Sequence, residues 1–448
     1  MQIYVPTHLD GVEDIENYER GGLPPIAVGD SLFGGRYAIL QKLGYGGSST
    51  VWLARDLDTE PGLLVSLKAM RADRSGSNSP GLTIPQHLKS LYPLSNYFQT
   101  VLHHFYEQSP NGNHLVIVCP LAGPSVASLY ALPTNNYGTK EAIRGRRFRA
   151  DFPKDVARDI ANGFYQMHSA GIVHGDLTSS NILLRIAPNV VEWSDSAVTA
   201  YLGEPKKSKV QMITDKKSLP GGYGCVFSAS DDSSHGPHAP PFRRDLLQES
   251  GLINDFGQSY LVASPPPHYR PGTTLGHMSP EMYFEGRAGL ESDVWSLACL
   301  IYEIRTGLPL FDMAWSMNDD DLVMRHVELL GRLPDPWLTD LDPESREQWF
   351  KDDGELMTVD EQRRFMQTLG GGSFLLGRKQ SLHERLRLVG TDNPSDTAAG
   401  PMYEKPNLAI EEDEVELLAD LLGKMLKYQP EERVTMAQVI EHPWFARS

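Results

Sequence analysis

Cysteine is scarce in this chain: three residues in 448, at Cys119, Cys225 and Cys299. That number and scatter exclude a disulfide framework and a cysteine-built zinc site, and they point to a reducing compartment. No apolar run is long enough to span a bilayer. The start Met1-Gln2-Ile3-Tyr4-Val5-Pro6 lacks the basic and apolar regions of a secretory signal. A cytoplasmic or nuclear protein without a membrane partner is expected. Positive charge is also short, with 41 Lys and Arg against 58 Asp and Glu for a formal charge of −17. A nucleic-acid binder needs a basic face, so no direct nucleic-acid partner is expected.

The acid is unevenly spread. From Asp312 to Asp360 there are 14 Asp and Glu against 4 Lys and Arg. Such a run is either a solvated face or a docking surface for a basic partner, and composition alone leaves both open. The reverse holds from Ala69 to Tyr106, where Asp73 is the only acid. The other totals, 40% hydrophobic residues with 40 Gly and 32 Pro, suit an enzyme with long loops. The length allows one bilobal domain or two smaller ones.

What is present centres on His174-Gly175-Asp176-Leu177-Thr178-Ser179-Ser180-Asn181, between an apolar helix-like run and the strand-like Ile182-Leu183-Leu184. An Asp and an Asn at this spacing suit phosphoryl transfer. The Asp orients a hydroxyl and accepts its proton, and the Asn holds Mg²⁺ on nucleotide phosphates. His174 reads as a buried brace of the loop. The plain alternative is a polar turn between core elements, so the partners elsewhere decide.

Those partners occur in order. Residues 1–35 read as an extended arm. Gly44-Tyr45-Gly46-Gly47-Ser48-Ser49-Thr50-Val51 is a glycine-rich hairpin whose amides can close over phosphates, and Lys68 follows 17 residues after Val51 on the strand Val65-Ser66-Leu67-Lys68. Pro80 and Pro85 restrict the helix expected next, and Gly81 or Gln86 stands where a lysine-pairing Glu belongs. Cys119-Pro120-Leu121-Ala122-Gly123 reads as a connector whose backbone can meet an adenine. Val156, Ile160, Phe164 and Met167 give Phe152–Ala170 helical periodicity. A polar insertion at about 190–250 reads as loop. Asp255-Phe256-Gly257 is a second metal-binding signal, and Glu281 of Ser279-Pro280-Glu281 lies 26 residues on.

This ordered set resembles a eukaryotic protein kinase over roughly residues 36–446. Finer features resemble the SR-protein kinases and their divergent fungal relatives. These include Gly35-Arg36-Tyr37, Ser49-Thr50-Val51-Trp52-Leu53-Ala54-Arg55-Asp56, Asp255-Phe256-Gly257-Gln258-Ser259 and Val327-Glu328-Leu329-Leu330-Gly331-Arg332-Leu333-Pro334. The resemblance implies an α+β, bilobal fold: an arm at 1–35, a β-rich N-lobe at 36–121 and a mainly helical C-lobe at 122–448. It implies a monomeric serine/threonine kinase using ATP and Mg²⁺ in a cleft between lobes, on basic or Arg-Ser-rich protein substrates docked by the acidic run. Asp176, Lys68, Thr178 and Thr274 are the implied catalytic residues. Leu43, Gly44, Gly46, Val51, Ser66, Lys68, Leu121, Asn181 and Asp255 would contact the nucleotide, with Asn181 and Asp255 on the metal. Arg433 would pair with Glu281, and Asp293 would brace the catalytic loop.

Three departures stand out. The helix Glu that pairs with the lysine is not found, Gly175 replaces the Arg before the catalytic Asp, and Thr178 replaces a phosphate-contacting Lys. Thr274 is placed to bridge to Asp176. Two rivals follow. His-Gly-Asp-x-x-x-x-Asn is also the loop of aminoglycoside-type small-molecule phosphotransferases, although those lack the Asp-Phe-Gly and Pro-Glu signals found here. A pseudokinase scaffold fits the missing Glu, whereas retention of Lys68, Asp176, Asn181 and Asp255 favours an enzyme.

Overall fold

Alternating burial along short strands builds the first part of the chain. The computed structural model describes residues 4–5, 7–9, 11–130, 147–210, 225–227, 244–267, 269, 271–313, 319–368, 376–390, 404 and 408–446. Strands β1 (Ser31–Leu32), β2 (Tyr37–Tyr45), β3 (Ser49–Asp56), β4 (Leu63–Met70), β5 (His103–Ser109) and β6 (Gly112–Pro120) form one antiparallel sheet in the order β1-β2-β3-β4-β6-β5. Tyr37, Ile39, Trp52, Ala54, Val65, Leu67, Ala69, Phe105, Val116 and Val118 share a buried cluster on one face. Because successive strand side chains alternate, Ser66 and Lys68 point to the other face. Val51 pairs with Lys68 and Leu53 with Ser66, which puts Val51 on that second face as well.

Helix α1 (Pro80–Leu91) forms despite its prolines. Pro80 takes the first helical position, where its missing N–H costs nothing. Pro85 lies inside and is buried with Leu82, Ile84 and Leu88, so packing outweighs the lost hydrogen bond. The helix has no acidic residue.

The stretch expected to be an extended arm packs instead. Tyr4, Ile15, Tyr18 and Leu23 are buried together with Val226. Glu13 accepts from Tyr18 and from Lys42 of β2, and the Lys42 ammonium also donates to the Phe227 carbonyl (3.1 Å). Val226 and Phe227 come from the polar insertion, whose described residues are not all loop. They form α4 (Asp195–Leu202) and a strand pair of β9 (Lys207–Lys209) with β10 (Cys225–Phe227). Ser194 caps α4 by accepting from the Ala197 N–H (3.2 Å). Residues 211–224 and 228–243 of the insertion lie outside the described residues.

Later elements are mainly helical. In chain order, counting from before the insertion, they are α2 (Val126–Tyr130), α3 (Asp151–Ser169), β7 (Ile172–Val173) and β8 (Ile182–Ile186). After it come β11 (Leu247–Ile253), β12 (Tyr260–Leu261), α5 (Pro280–Glu285), α6 (Leu290–Thr306), α7 (Asp321–Leu330), α8 (Asp335–Asp340) and α9 (Pro343–Trp349). Four further helices follow among the described residues: α10 (Val359–Thr368), α11 (Leu382–Leu388), α12 (Glu412–Met425) and α13 (Met436–Ile440). Helix α3 buries Val156, Ile160, Phe164 and Met167, the stripe its periodicity demands. Helix α6 is buried on nearly all sides, including Trp295, Leu297, Leu300 and Ile304. Two compact units result, the first mainly Met1–Pro124 with Leu183–Gln248 and the second mainly Ser125–Leu132, Asn136–Ile182 and Glu249–Ser448. Residues 1–35 and most of the insertion therefore fall in the sheet unit. Among the described residues no helix is long and apolar enough to cross a membrane, and Cys119 and Cys299 are free thiols.

Candidate active site

In the sheet unit, the hairpin of β2 and β3 pairs Gly44 with Val51 and Tyr45 with Thr50. The Gly46 N–H donates to the Ser49 carbonyl (2.9 Å), closing the turn. A Cβ built on Gly44, Gly46 or Gly47 meets nothing within 4 Å, so the hairpin backbone is open to a phosphate chain. Lys68 sits in mid-sheet between Val51 and Ile117. The Ser66 hydroxyl lies 3.4 Å and 3.3 Å from the Cys119 and Pro120 carbonyls, which places it at the end of β6. Leu43 and Leu121 pack against one cluster with Leu53, Leu64 and Val198.

In the helical unit, the loop after β7 is fixed by one carboxylate. Asp293 of α6 accepts from the His174 N–H (2.7 Å) and the Gly175 N–H (3.0 Å), as the family resemblance implied. His174 is fully buried between Phe164 and Phe256. Its Nδ1 accepts from the Asp176 N–H (3.3 Å), so Nε2 carries the proton facing the Asn254 carbonyl (3.1 Å). His174 is therefore a brace. The Asn181 amide donates to the Asp176 carbonyl (2.8 Å) and to Asp176 Oδ2 (3.2 Å). The Asn254 N–H donates to the Asn181 carbonyl (2.9 Å), which sets Asp255 beside the Asn181 strand end.

Asp255 adopts a left-handed backbone at φ 58°, uncommon for a non-glycine residue, and accepts from the Gly257 N–H (3.2 Å). Its carboxylate and the Asn181 amide oxygen are hard donors that suit Mg²⁺, whose remaining positions phosphate and water oxygens fill. Burial raises the Asp176 pKa above the ordinary carboxylate value. The nearby Asp255 charge adds to the rise, and His174, the Asn181 hydrogen bond and His277, in falling order, oppose it.

The segment after Asp255 is tied down by its own hydroxyls. Ser259 donates to the His174 carbonyl (3.0 Å) and Thr273 to the Gly175 carbonyl (2.8 Å). Gly175 has φ 77°, and a Cβ there would collide with the Tyr269 hydroxyl oxygen. The space of an Arg at this position is thus filled by Tyr269. Further on, Glu281 and Arg433 form a bidentate ion pair (2.7 Å twice), almost entirely out of solvent, as the family resemblance implied. One expectation is corrected: the Thr274 hydroxyl lies 3.3 Å from His277 Nδ1, and it does not bridge to Asp176. Within three residues, that imidazole is the nearer polar group.

Residues 246–445 match the protein kinase domain family. The chain is 26% identical to the serine/threonine-protein kinase SRPK of Physarum polycephalum, over 97% of this chain and 91% of that one. It is 24% identical to protein kinase dsk1 of Schizosaccharomyces pombe, over 74% and 72% of the two chains. It is 22% identical to SRSF protein kinase 3 of Sus scrofa, over 96% and 90%. The domain match and the SRPK-named relatives support a divergent SRPK-like protein kinase. Its fold is the bilobal α+β kinase fold, with the sheet unit as the β-rich part and the other unit as the helical part.

Each unit thus gathers its own share of the expected site. Leu43, Gly44, Gly46, Val51, Ser66, Lys68 and Leu121 belong to the sheet unit, while Asp176, Thr178, Asn181, Asp255 and Thr274 belong to the helical one. Sequence reasoning missed three partners, Tyr269 beside Gly175, His277 beside Thr274, and Glu303, which accepts from Ser179 of the loop (2.7 Å). Only the position of His277 between Thr274 and Glu281 offered any signal.

Proposed function

We propose that this kinase transfers the γ-phosphoryl group of ATP to a serine or threonine hydroxyl of basic, Arg-Ser-rich protein segments. The observation that carries the reading is the Asp176–Asn181 loop, fixed by Asp293 and adjoined by Asp255. Asp176 takes the hydroxyl proton. Its Oδ2 is held by the Asn181 amide (3.2 Å), which leaves Oδ1 for the substrate. ATP·Mg²⁺ supplies the transferable phosphoryl group. Asn181 and Asp255 would hold the metal, and the glycine hairpin and Lys68 would hold the phosphates. As the new oxygen–phosphorus bond forms and the bond to the β-phosphate oxygen breaks, ADP departs. The acid-free α1 is the one observation that favours a scaffold that binds nucleotide without efficient transfer. We assign action as a monomer in the cytoplasm or nucleus.

ATP with Mg²⁺ at about 100 times its Kd should stabilise the protein by about 2.7 kcal/mol through mass action. A melt that does not move at millimolar nucleotide contradicts nucleotide binding. Phosphatase treatment should leave activity unchanged, because the Ser259 and Thr273 hydroxyls already serve as donors to the catalytic loop and Tyr269 fills the place of a phosphate-binding Arg. Loss of activity on dephosphorylation at Ser259, Ser264, Tyr269, Thr273 or Thr274 contradicts this.

Substrate docking falls to the exposed acids. Asp319, Asp352, Asp353 and Glu355 face solvent, whereas Asp321 is buried and Asp320 accepts from the Tyr283 hydroxyl. Asp321 and Asp320 are therefore already engaged and do not present free carboxylates to a basic segment. Reversing Asp352, Asp353 and Glu355 together should raise KM for an Arg-Ser peptide about tenfold at low salt, with kcat nearly constant. Equal KM values would return the run to plain solvated surface.

A further inference from the structure

Two glycines leave no room for a side chain, Gly175 in the catalytic loop and Gly272 in the segment after Asp255. A Cβ on Gly175 would collide with the Tyr269 hydroxyl and come within 3.1 Å of the Gln258 carbonyl oxygen. A Cβ on Gly272 would come within 2.8 Å of Gln258 Nε2. Tyr269 and Gln258 are thus seated against bare backbone. The half-buried Tyr269 ring packs on Tyr260, with centroids 4.9 Å apart. Tyr260 is itself anchored twice. Its hydroxyl donates to the Ala288 carbonyl (2.6 Å), and its backbone pairs with Val173 of β7, just ahead of the loop.

The peptide unit between Gly175 and Asp176 is gripped at both ends. Its carbonyl accepts from Thr273 (2.8 Å) and lies 3.5 Å from the Tyr269 hydroxyl. Its N–H, that of Asp176, donates to His174 Nδ1 (3.3 Å). This unit leads into the Asp176 Cα, so its plane sets where the Asp176 side chain starts. At 3.5 Å the Tyr269 hydroxyl is a weak donor, and the seated, stacked ring is the larger part of the grip.

We propose that Tyr269 is a positioning residue for the transfer: its ring, stacked on Tyr260 and seated against Gly175, locks the peptide unit from which Asp176 projects. It acts through the Gly175 backbone. Its effect on rate rests on the phosphotransfer reading above, whereas backbone exchange tests the lock without any transfer. Asp176-dependent transfer from ATP to an Arg-Ser peptide by the wild-type chain is established first. Its absence defeats that reading, and amide exchange at Gly175 and Asp176 then decides the proposal alone.

Tyr269→Ala should speed that exchange about tenfold. It should also lower kcat about 10–100-fold, the scale of a small misplacement of a catalytic group. KM for ATP should stay nearly constant, because no assigned nucleotide contact is altered. Tyr269→Phe keeps the ring and should keep most of both kcat and exchange protection. Gly175→Ala should lower kcat, and adding Tyr269→Phe, which removes the colliding oxygen, should recover about tenfold. Wild-type kcat or wild-type exchange in Tyr269→Ala overturns the proposal. So does an equal loss in Tyr269→Phe, since the ring would then not be the lock. A fall in kcat matched by a rise in KM for ATP also overturns it, as support of the fold alone. If Tyr269→Ala does not fold, the Gly175→Ala pair decides, and no recovery on adding Tyr269→Phe overturns the proposal.

Discussion

Arg433→Ala should lose about 3–5 kcal/mol of stability, the cost of leaving a charged carboxylate buried without its partner. Glu281 and Arg433 meet through two 2.7 Å contacts, and Ser292 donates a third hydrogen bond to Glu281 (2.6 Å). Arg433 also donates to the Glu291 carbonyl (2.9 Å) and lies over the Trp295 ring, so the change removes packing as well as charge. Burial alone would raise the Glu281 pKa, but the Arg433 guanidinium and the Ser292 hydroxyl outweigh it and hold the value below the ordinary one. The pair's contribution is therefore complete above the ordinary glutamate range and is lost as pH falls through the lowered value. Melts of wild type and Arg433→Ala should differ most near neutrality and converge in acid. A loss under about 1 kcal/mol at pH 7 would assign the pair to the weak class of exposed bridges.

Asp176→Ala should lower kcat/KM by about 10²–10⁴-fold, the usual cost of losing a general base. The protein should not be destabilised at neutral pH. Burial and the Asp255 charge raise the Asp176 pKa, so its ionised form is the costly one in the folded chain. For an acid with a raised folded value, stability falls as pH rises through the window between the unfolded and folded values. Removing the group should leave the melting temperature equal or slightly higher at pH 7. In the wild-type profile, activity should fall with acid through a value above the ordinary Asp range. A variant that melts well below wild type would mark Asp176 as structural.

What the sequence makes legible is what lies close along the chain. Asp176 and Asn181 share one loop, and Asp255 is two residues past the end of β11. The Glu281–Arg433 pair and the Asp293 brace join distant positions, and they were readable only through resemblance to a family. The packed insertion was not legible, because Val226 and Phe227 are two apolar residues in a long polar stretch, buried by contacts with the N-terminal segment and the sheet. Its helix α4 did carry a local sign in Ser194, a good N-cap followed by Asp195. The Glu13–Lys42 pair had none, since neither partner belongs to a motif. Pro85 gave a true local signal that tertiary burial overrode. Thr274 was misjudged because the alternative partner, His277, is set by the turn Leu275–His277 that follows it.

Phosphoserine formed in an Arg-Ser peptide, read by mass spectrometry after incubation with ATP and Mg²⁺, tests the central claim most directly. The untreated and the phosphatase-treated wild-type chain should give equal product, and Asp176→Ala should give almost none. Product that persists undiminished in Asp176→Ala, or a wild-type chain that binds ATP without forming product, would contradict the account and leave the scaffold reading in its place.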